Sequence, residues 1–374
     1  MQYRKFGNLD IELSILGFGA MRLPSRSTRE KTVYDYEESA RMMLRAYELG
    51  VNYFDTAPGY CGGESEIIVG RALKDIRRKV YLSTKNPIEN DSGKDFRLRL
   101  ENSLKKLDTD YIDFYYMWGI NLDVFENMII KKDGPLEAAR KAKEEGLIRH
   151  ISFSFHDDPA NLKKLIDSGC FESMLVQYNL LDRSNEQGLA YAHEMDLGTV
   201  VMGPVGGGRL GIASRQISDM IPGGIKSSPE LALRFVLTNQ NVACALSGMS
   251  AMEQVEENCR IAANPAFLTN DEMKSVESAS QQLKKLSDLY CTGCRYCMPC
   301  PFDVNIPLNF ELMNYHKVYG ITEYARAEYQ NIGKFEWMPG KPASACTECG
   351  ECEKKCPQKI DIRRQLKETH SALV

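Results

Sequence analysis

The feature that most constrains the fold is a regular alternation of short apolar segments with longer amphipathic ones over residues 13–264. Short apolar runs bounded by turn residues are typical of buried strands. The strand-like segments are LSILGFG, VNYFDT, VYLSTK, YIDFYYM, LIRHISFS, SMLVQYN, GTVVMGP and VACALSG. The segments between them predict helices over 37–49, 64–74, 94–107, 135–145, 158–168, 185–196, 228–238 and 251–263. Eight such pairs in about 250 residues match the number and length of an α/β fold, the (β/α)8 TIM barrel, which we therefore predict.

Two further segments define the ends of this predicted barrel. Near the amino terminus, YRKFGNLDIEL has Gly-Asn between two apolar stretches, which predicts a hairpin that closes the barrel floor. Thr269 precedes NDEMKSVESASQQLKKL, which has the pattern of a capped amphipathic helix. We predict a barrel domain over 1–268, then a linker helix and a mainly helical second domain over 269–374. The length of 374 residues agrees with two domains.

Composition excludes several classes of protein. The net charge is −4 and no basic run alternates with aromatic residues, so we expect no nucleic-acid partner. No stretch approaches the ~18 apolar residues of a membrane span, and the amino terminus lacks an apolar leader, so we expect no membrane association and a cytoplasmic location. Eight of the twelve cysteines lie in two short stretches near the carboxyl terminus. This clustering predicts metal binding in a reducing compartment.

The two cysteine stretches share one pattern, with three cysteines at every third position and a fourth that precedes proline. Such motifs bind [4Fe–4S] clusters, and the cysteine before the proline ligates the other cluster. Two structural zinc sites are the alternative, but zinc needs neither the third cysteine nor the Cys-Pro pair. In the first motif only two residues separate the third and fourth cysteines, where three are usual. We predict two clusters, one held by Cys291, Cys294, Cys297 and Cys356 and the other by Cys346, Cys349, Cys352 and Cys300.

Polar residues gather at the predicted carboxyl ends of the strands, where TIM barrels carry their active sites. Asp55 ends the second strand in FDTAPGY, Tyr60 follows it, and Lys85 ends the third strand in YLSTKNP. A buried lysine needs a partner such as Asp55. A lysine charge beside the Tyr60 phenol should lower the pKa of that phenol from ~10. We therefore predict Tyr60 as a general acid supported by Lys85 and Asp55.

The sequence around these residues resembles the aldo-keto reductase family. The segments FDTAPGY, GGESEIIVGRAL, LSTK, YIDFYYM, GLIRHISFS, VQYN, GPVGGG and LSGMSAMEQVEEN follow the family's order across residues 3–264. With its cysteine motifs the chain is similar to the iron–sulfur branch of that family, in which the second domain resembles an α-helical, two-cluster ferredoxin. The resemblance implies an oxidoreductase that acts on a carbonyl or an alcohol with a nicotinamide cofactor. Tyr60, Lys85 and Asp55 match three members of its catalytic tetrad.

The resemblance also implies roles for other residues and marks two departures. The fourth tetrad member is a histidine in the family, but this chain has Trp118, whose indole cannot relay a proton. His156, just past the fifth strand, is the histidine best placed to substitute. Met202 stands where the family stacks an aromatic ring on the nicotinamide. The other predicted cofactor contacts are Ser154, Gln177, Gly203, Gly206, Arg209, Ser247, Gly248, Ser250, Gln254 and Asn258.

The loop after the eighth strand bears on the choice of cofactor. It has no lysine or arginine to bind a 2′-phosphate, so we expect NADH rather than NADPH. An iron–sulfur cluster carries one electron at a time and a hydride carries two. A flavin is therefore one candidate cofactor to pass electrons between the clusters and the hydride transfer.

Three functions are consistent with these features. The leading hypothesis is an oxidoreductase of a small carbonyl or hydroxyl compound, whose clusters exchange electrons with a ferredoxin or a flavodoxin. The second is a reductase without nicotinamide, whose clusters feed a substrate held between Tyr60, Trp118 and Lys85. The third is a non-enzymatic protein for electron transfer or redox sensing.

Overall fold

The computed structural model describes residues 1–27, 32–211, 214–221, 225, 227–288, 297–335, 337–356 and 360–374, with only the backbone described at 207–209 and 283–288. Its internal contacts divide the chain into two compact units. The first comprises Met1–Gly207 and Ala232–Phe267, and the second comprises Gly208–Leu231 and Leu268–Val374. The second unit therefore includes a segment that lies between two barrel strands in the sequence.

Eight parallel strands form a closed barrel in the first unit. The strands of the described residues are β1 (Tyr3–Lys5), β2 (Glu12–Ser14), β3 (Leu16–Gly19), β4 (Ser25–Ser27), β5 (Thr32–Tyr34), β6 (Tyr53–Asp55), β7 (Tyr81–Pro87), β8 (Ile112–Ile120), β9 (Ile148–Phe155), β10 (Ser173–Gln177), β11 (Gly198–Met202) and β12 (Cys244–Gly248). Around the barrel the order is β3-β6-β7-β8-β9-β10-β11-β12, and β12 pairs with β3 to close it. The predicted barrel is confirmed.

Among the described residues, the eight predicted helices of the barrel are present, together with two short helices. They are α1 (Tyr36–Glu48), α2 (Ser65–Leu73), α3 (Gly93–Leu107), α4 (Leu122–Val124), α5 (Pro135–Glu144), α6 (Pro159–Asp167), α7 (Glu186–Glu194), α8 (Arg215–Ser218), α9 (Ser228–Thr238) and α10 (Met252–Ala263). Their ends follow from local chemistry. Asp35 caps α1 by accepting the N–H of Glu38, and Ser92 caps α3 by accepting the N–H of Asp95 at 3.2 Å. The α4 and α8 segments are short and were not predicted.

Apolar side chains fill the amino-terminal half of the barrel. Phe6 and Leu13 come from the β1–β2 region and pack with the inward-facing Phe114 of β8. At Gly198, where β11 begins, a Cβ would lie 2.7 Å from the Phe6 ring, so only glycine fits there. The predicted amino-terminal hairpin is confirmed. Because this core occupies the floor, polar side chains gather at the opposite, carboxyl ends of the strands.

The second unit is mainly helical. Its helices, besides α8, are α11 (Asn270–Asp288), α12 (Ile306–Lys317), α13 (Thr322–Tyr329), α14 (Glu351–Lys355) and α15 (Ile362–Leu373). Thr269 accepts the N–H of Glu272, and the Glu272 carboxylate accepts the N–H of Thr269 at 2.8 Å, which confirms the predicted cap of α11. The α12 helix packs against α13 and α15. Among the described residues, no helix is both long and apolar enough to cross a bilayer.

Candidate active site and cysteine cavity

The carboxyl ends of β6 and β7 bring Asp55 and Lys85 together. Both side chains are buried, and the Lys85 Nζ donates to the two carboxylate oxygens of Asp55 at 2.8 and 2.7 Å. The same ammonium donates to the carbonyl oxygen of Thr56 at 2.8 Å. Ser83 faces the barrel interior two residues before Lys85 and donates to Asp55 at 2.7 Å. The predicted ion pair is therefore present, with hydrogen bonds that fix both partners.

Tyr60 lies beside this ion pair on a 3-10 turn, Tyr60–Gly63. The Lys85 Nζ lies 4.7 Å from the centroid of the Tyr60 ring, within the range of a cation–π contact. The turn is tight because Cys61, Gly62 and Gly63 all have positive φ angles, which cost least at glycine. The Tyr60 side chain is thus held over the ammonium at the open end of the barrel.

Burial and nearby charge decide the protonation states of Lys85 and Tyr60. Desolvation lowers the pKa of Lys85, but the charge of Asp55 and the hydrogen bonds to Asp55 and Tyr60 together raise it above its ordinary value. Our expectation that the pKa of Tyr60 would lie below its ordinary value was wrong. Desolvation of the phenol raises the pKa of Tyr60 by more than the nearby ammonium lowers it. Tyr60 is therefore a phenol, not a phenolate, across the physiological pH range.

Trp118 packs against Tyr60 at the end of β8. The two rings meet edge to face, with centroids 5.8 Å apart and planes at 87°. A Cβ at Gly59 would lie 3.3 Å from the indole, so the glycine leaves room for the ring. His156 lies near Gly119, its Nδ1 being 3.7 Å from where a Cβ of Gly119 would stand. His156 is exposed, yet desolvation and then the charge of Lys85 lower its pKa.

Several predicted cofactor contacts surround the same opening. Ser154 is buried, and its hydroxyl oxygen accepts the N–H of Gly119 at 2.7 Å, which leaves its own proton available to a ligand. Gln177 and Met202 are paired at the ends of β10 and β11. Gly203 follows with a φ of 63°, and a Cβ there would lie 2.7 Å from the Gln177 amide oxygen. The glycine thus permits close packing beside that amide.

Two of the predicted cofactor contacts have backbone N–H groups that are already hydrogen-bonded within the protein. The N–H of Gly206 donates to the carbonyl oxygen of Gly203 at 2.8 Å. The N–H of Ser250 donates to the Gln254 amide oxygen at 2.8 Å. The remaining residues of the predicted set near β12 are Ser247, Gly248 and Asn258, of which Asn258 donates to the Ser247 hydroxyl at 3.1 Å. The side chain of Arg209 lies outside the described residues.

Sequence reasoning missed one cation at this end of the barrel. Arg22 follows β3, is exposed, and lies across the end of β12, with its Cβ and Cδ at 3.9 and 4.0 Å from the Cβ position of Gly248. The expectation of no base beside a 2′-phosphate rested on the loop after β12 alone. The sequence could have predicted this position of Arg22. The first and last strands of a closed barrel are neighbours, so residues after β3 lie beside the end of β12.

One cavity in the second unit is lined by four of the predicted cluster ligands. They are Cys300, Cys346, Cys349 and Cys352, with apolar neighbours that include Val304 and Ile306. Among the described residues, no three His, Cys, Asp or Glu side chains converge closely enough to hold a single metal ion. The four thiols line one cavity, as the four ligands of a single cluster would.

The ligands assigned to the other cluster are described only in part. Cys297 is buried and Cys356 is half-buried, while Cys291 and Cys294 lie outside the described residues. Neither Cys297 nor Cys356 lines the cavity formed by the other four cysteines.

Comparison with known proteins agrees with this geometry. Residues 15–281 match the aldo/keto reductase family, and residues 290–360 match the 4Fe-4S dicluster domain. The aldo-keto reductase AKR11C1 from Bacillus halodurans, in its holo form, is 30% identical, with a TM-score of 0.64 over 75% of this chain and 96% of that one.

Two curated proteins are also similar to this chain. The uncharacterized oxidoreductase YqkF from Bacillus subtilis is 29% identical over 75% of this chain and 97% of its own length. The NADH-specific methylglyoxal reductase of Escherichia coli is 28% identical over 67% of this chain and 90% of its own length. The matched residues include the barrel and both cysteine motifs, so the chain belongs to the aldo/keto reductase family and is an oxidoreductase with a C-terminal 4Fe-4S dicluster domain.

Proposed function

We propose that this protein interconverts a small carbonyl compound and its alcohol, with Tyr60 as the proton donor in the direction of reduction. The observation that carries the proposal is the buried Lys85–Asp55 ion pair beside the Tyr60 ring at the open end of the barrel. Two supporting features are the protonated state of the phenol and the free hydroxyl proton of Ser154. The substitution Tyr60→Phe, argued in the Discussion, is the direct test.

Tyr60, Lys85 and Asp55 each have a distinct task in this proposal. Tyr60 donates its hydroxyl proton to the substrate oxygen, and the Lys85 ammonium stabilises the phenolate that this transfer leaves. Asp55 keeps the lysine charged and oriented through its two hydrogen bonds. Ser154 and Gln177 are placed to bind the carboxamide of a nicotinamide. A bound nicotinamide would supply the hydride that completes the reduction. Arg22 suits a phosphate of the same cofactor.

The clusters connect this chemistry to a second protein in our proposal. Cys300, Cys346, Cys349 and Cys352 would hold one [4Fe–4S] cluster, with the remaining four cysteines of residues 269–374 holding the other. Cys349 is exposed, which favours electron exchange with a carrier of the ferredoxin or flavodoxin type at that cluster. Since each cluster carries one electron at a time and a hydride carries two, regenerating one reduced nicotinamide would take two transfers from the carrier and one proton.

One observation favours a second candidate function. Trp118 stands edge-on to Tyr60 where the family has a histidine, and it narrows the space above the phenol. A reductase without nicotinamide, in which the clusters supply the electrons directly, would need no cofactor in that space. The two candidates differ in whether the barrel binds a nicotinamide.

We predict that NADH binds at least as tightly as NADPH. The loop after β12 offers no base to a 2′-phosphate, and unpaired phosphate charge weakens binding. The measurement is a fluorescence titration of each cofactor with wild-type protein and with Arg22→Ala. Tighter binding of NADPH that disappears in Arg22→Ala would contradict the prediction and identify Arg22 as the missing base. Binding of neither cofactor would favour the second candidate.

We also predict the pH dependence of carbonyl reduction. Because burial raises the pKa of Tyr60 above ~10, the phenol stays protonated and kcat should be flat from about pH 6 to 9, then fall. Alcohol oxidation needs the deprotonated form, so its kcat should rise over the same high-pH range. A steady-state pH profile in each direction is the measurement. If the reduction rate instead fell with a midpoint at or below pH ~6.5, the proton donor would be His156, whose pKa is lowered.

A further inference from the structure

The loop after β11 belongs to the second unit, although β11 and most of α9 belong to the barrel unit. Its residues Gly208–Leu231 group with Leu268–Val374. The loop opens with the 3-10 turn Gly206–Gly211, which contains two of the predicted cofactor contacts, Gly206 and Arg209. The chain therefore passes from a predicted cofactor-binding turn directly into the unit that carries the cysteine motifs.

Ser214 joins this loop to the turn between α12 and α13. Its side chain is buried, and its hydroxyl donates to the carbonyl oxygen of Tyr319 at 2.6 Å. The same hydroxyl oxygen accepts the N–H of Ile217 at 3.3 Å and so caps α8. The Ser228 hydroxyl, at the start of α9, accepts the N–H of Ser214 at 2.9 Å. One buried residue therefore ties α8, α9 and the α12–α13 turn together.

Gly320, the next residue of the α12–α13 turn, packs closely on the same loop. Its φ is 66°, in the left-handed region that favours glycine. A Cβ at this position would overlap the amide oxygen of Gln216, which lies on α8. The backbone angle and the close approach therefore both require glycine where the turn meets the loop.

The α12 helix connects this turn to the cysteine cavity. Val304 and Ile306, at or just before the first residue of α12, line the cavity. Asn309 of the same helix accepts the N–H of Ala343 at 2.7 Å, three residues before Cys346. The helix packs against α13 and α15 and ends just before the turn. One packed helix therefore links the surroundings of the predicted cluster ligands to the turn that holds the loop.

We propose that the dicluster domain positions the cofactor-binding turn through Ser214 and Gly320, so that nicotinamide affinity depends on an intact, cluster-loaded domain. This inference rests on the proposed function, because it requires that the barrel binds a nicotinamide. A loop that is fixed before the cofactor arrives loses less conformational entropy on binding. A loop released from the α12–α13 turn would have to be ordered at each binding event. Ser214 and Gly320 are therefore positioning residues, which act through the loop without contacting the cofactor.

The test is a fluorescence titration of the cluster-loaded protein with NADH. Gly320→Ala should weaken NADH binding by about tenfold or more, because the added methyl group overlaps Gln216 and the backbone is strained. Ser214→Ala should weaken it by about threefold, because the loop loses a cap and its hydrogen bond to the turn. In steady-state carbonyl reduction the effect should appear in KM for NADH rather than in kcat. Both variants should still carry about eight irons per chain, which shows that the dicluster domain is intact.

Matched controls make the same changes away from this contact. Gly169 has a φ of 62° with open space at its Cβ position, so Gly169→Ala reproduces the backbone strain without the overlap. Ser92→Ala removes the cap of α3. Both controls should leave NADH affinity unchanged. Adding Gln216→Ala to Gly320→Ala removes the overlap and should recover most of the lost affinity, which general destabilisation would not do. Ser214→Ala remains informative if Gly320→Ala does not fold.

Removing the clusters from the wild-type protein tests the dependence on the dicluster domain directly. Without a cluster to hold Cys300 and Cys346, the amino-terminal end of α12 loses its support, and NADH affinity should fall by about tenfold or more. Equal NADH affinity in the wild type and both variants, or unchanged affinity after cluster removal, would overturn the inference and leave the proposed function standing. If the wild type bound neither NADH nor NADPH, the proposed function would fail and this inference with it.

Discussion

Replacing Tyr60 by phenylalanine is expected to lower kcat for carbonyl reduction by about 10²-fold or more, the usual contribution of a positioned general acid. The ring, its contact with Lys85 and its packing against Trp118 would all remain, so the fold and both clusters should be unaffected. Lys85→Met should have a similar effect, because the phenolate formed by proton transfer would lose its stabilising charge. If the two residues act as one unit, the double variant should be little slower than either single variant.

The matched control makes the same chemical change on the surface of the barrel. Tyr191 lies on α7, where its hydroxyl donates to Asp167 and its ring contacts Lys163. Tyr191→Phe should leave kcat and KM unchanged. Turnover of Tyr60→Phe at the wild-type rate would show that another group donates the proton, with His156 and Cys61 the next candidates.

The cysteine cavity leads to the second large effect, the loss of a whole cluster. Anaerobically purified protein should carry about eight irons, with absorption near ~400 nm that bleaches on reduction. Cys300→Ser and Cys349→Ser should each remove or alter one cluster, with the iron content falling towards about four. Because both thiols line the same cavity, the two variants should change the same signal in electron paramagnetic resonance spectra.

Cys356→Ser is the informative comparison, since we assign Cys356 to the other cluster. It should change the signal that survives in Cys300→Ser and leave the other unchanged. Cys170→Ser, a change of a half-buried cysteine in the barrel, should alter neither cluster. Finding one or two zinc ions per chain in place of iron would refute the cluster assignment. Damage from Cys356→Ser to the same signal as Cys349→Ser, with Cys300→Ser damaging the other, would refute the exchange of the fourth ligands.

Local pattern was enough to predict the architecture and the main candidates. The strands and helices of the barrel follow from hydrophobic periodicity, because each segment must bury one face whatever its neighbours are. Asp55 and Lys85 could be placed together because parallel strands bring their carboxyl ends to one edge. The clusters could be predicted from the cysteine motifs because three of each cluster's four predicted ligands lie within seven residues of the sequence.

Only the tertiary structure decided the properties that depend on distant groups. The pKa of Tyr60 is raised rather than lowered, because the burial around the phenol outweighs the single charge of Lys85 that sequence reasoning considered. Arg22 reaches the end of β12 from the opposite end of the barrel sequence. The burial of the Glu66 Oε2 and the Arg99 Nη2 without a hydrogen bond became visible only once the contacts of α2 and α3 with β7 were known. Spacing along a chain determines which elements form, whereas desolvation and unmatched polar atoms depend on side chains that come together only when the barrel closes.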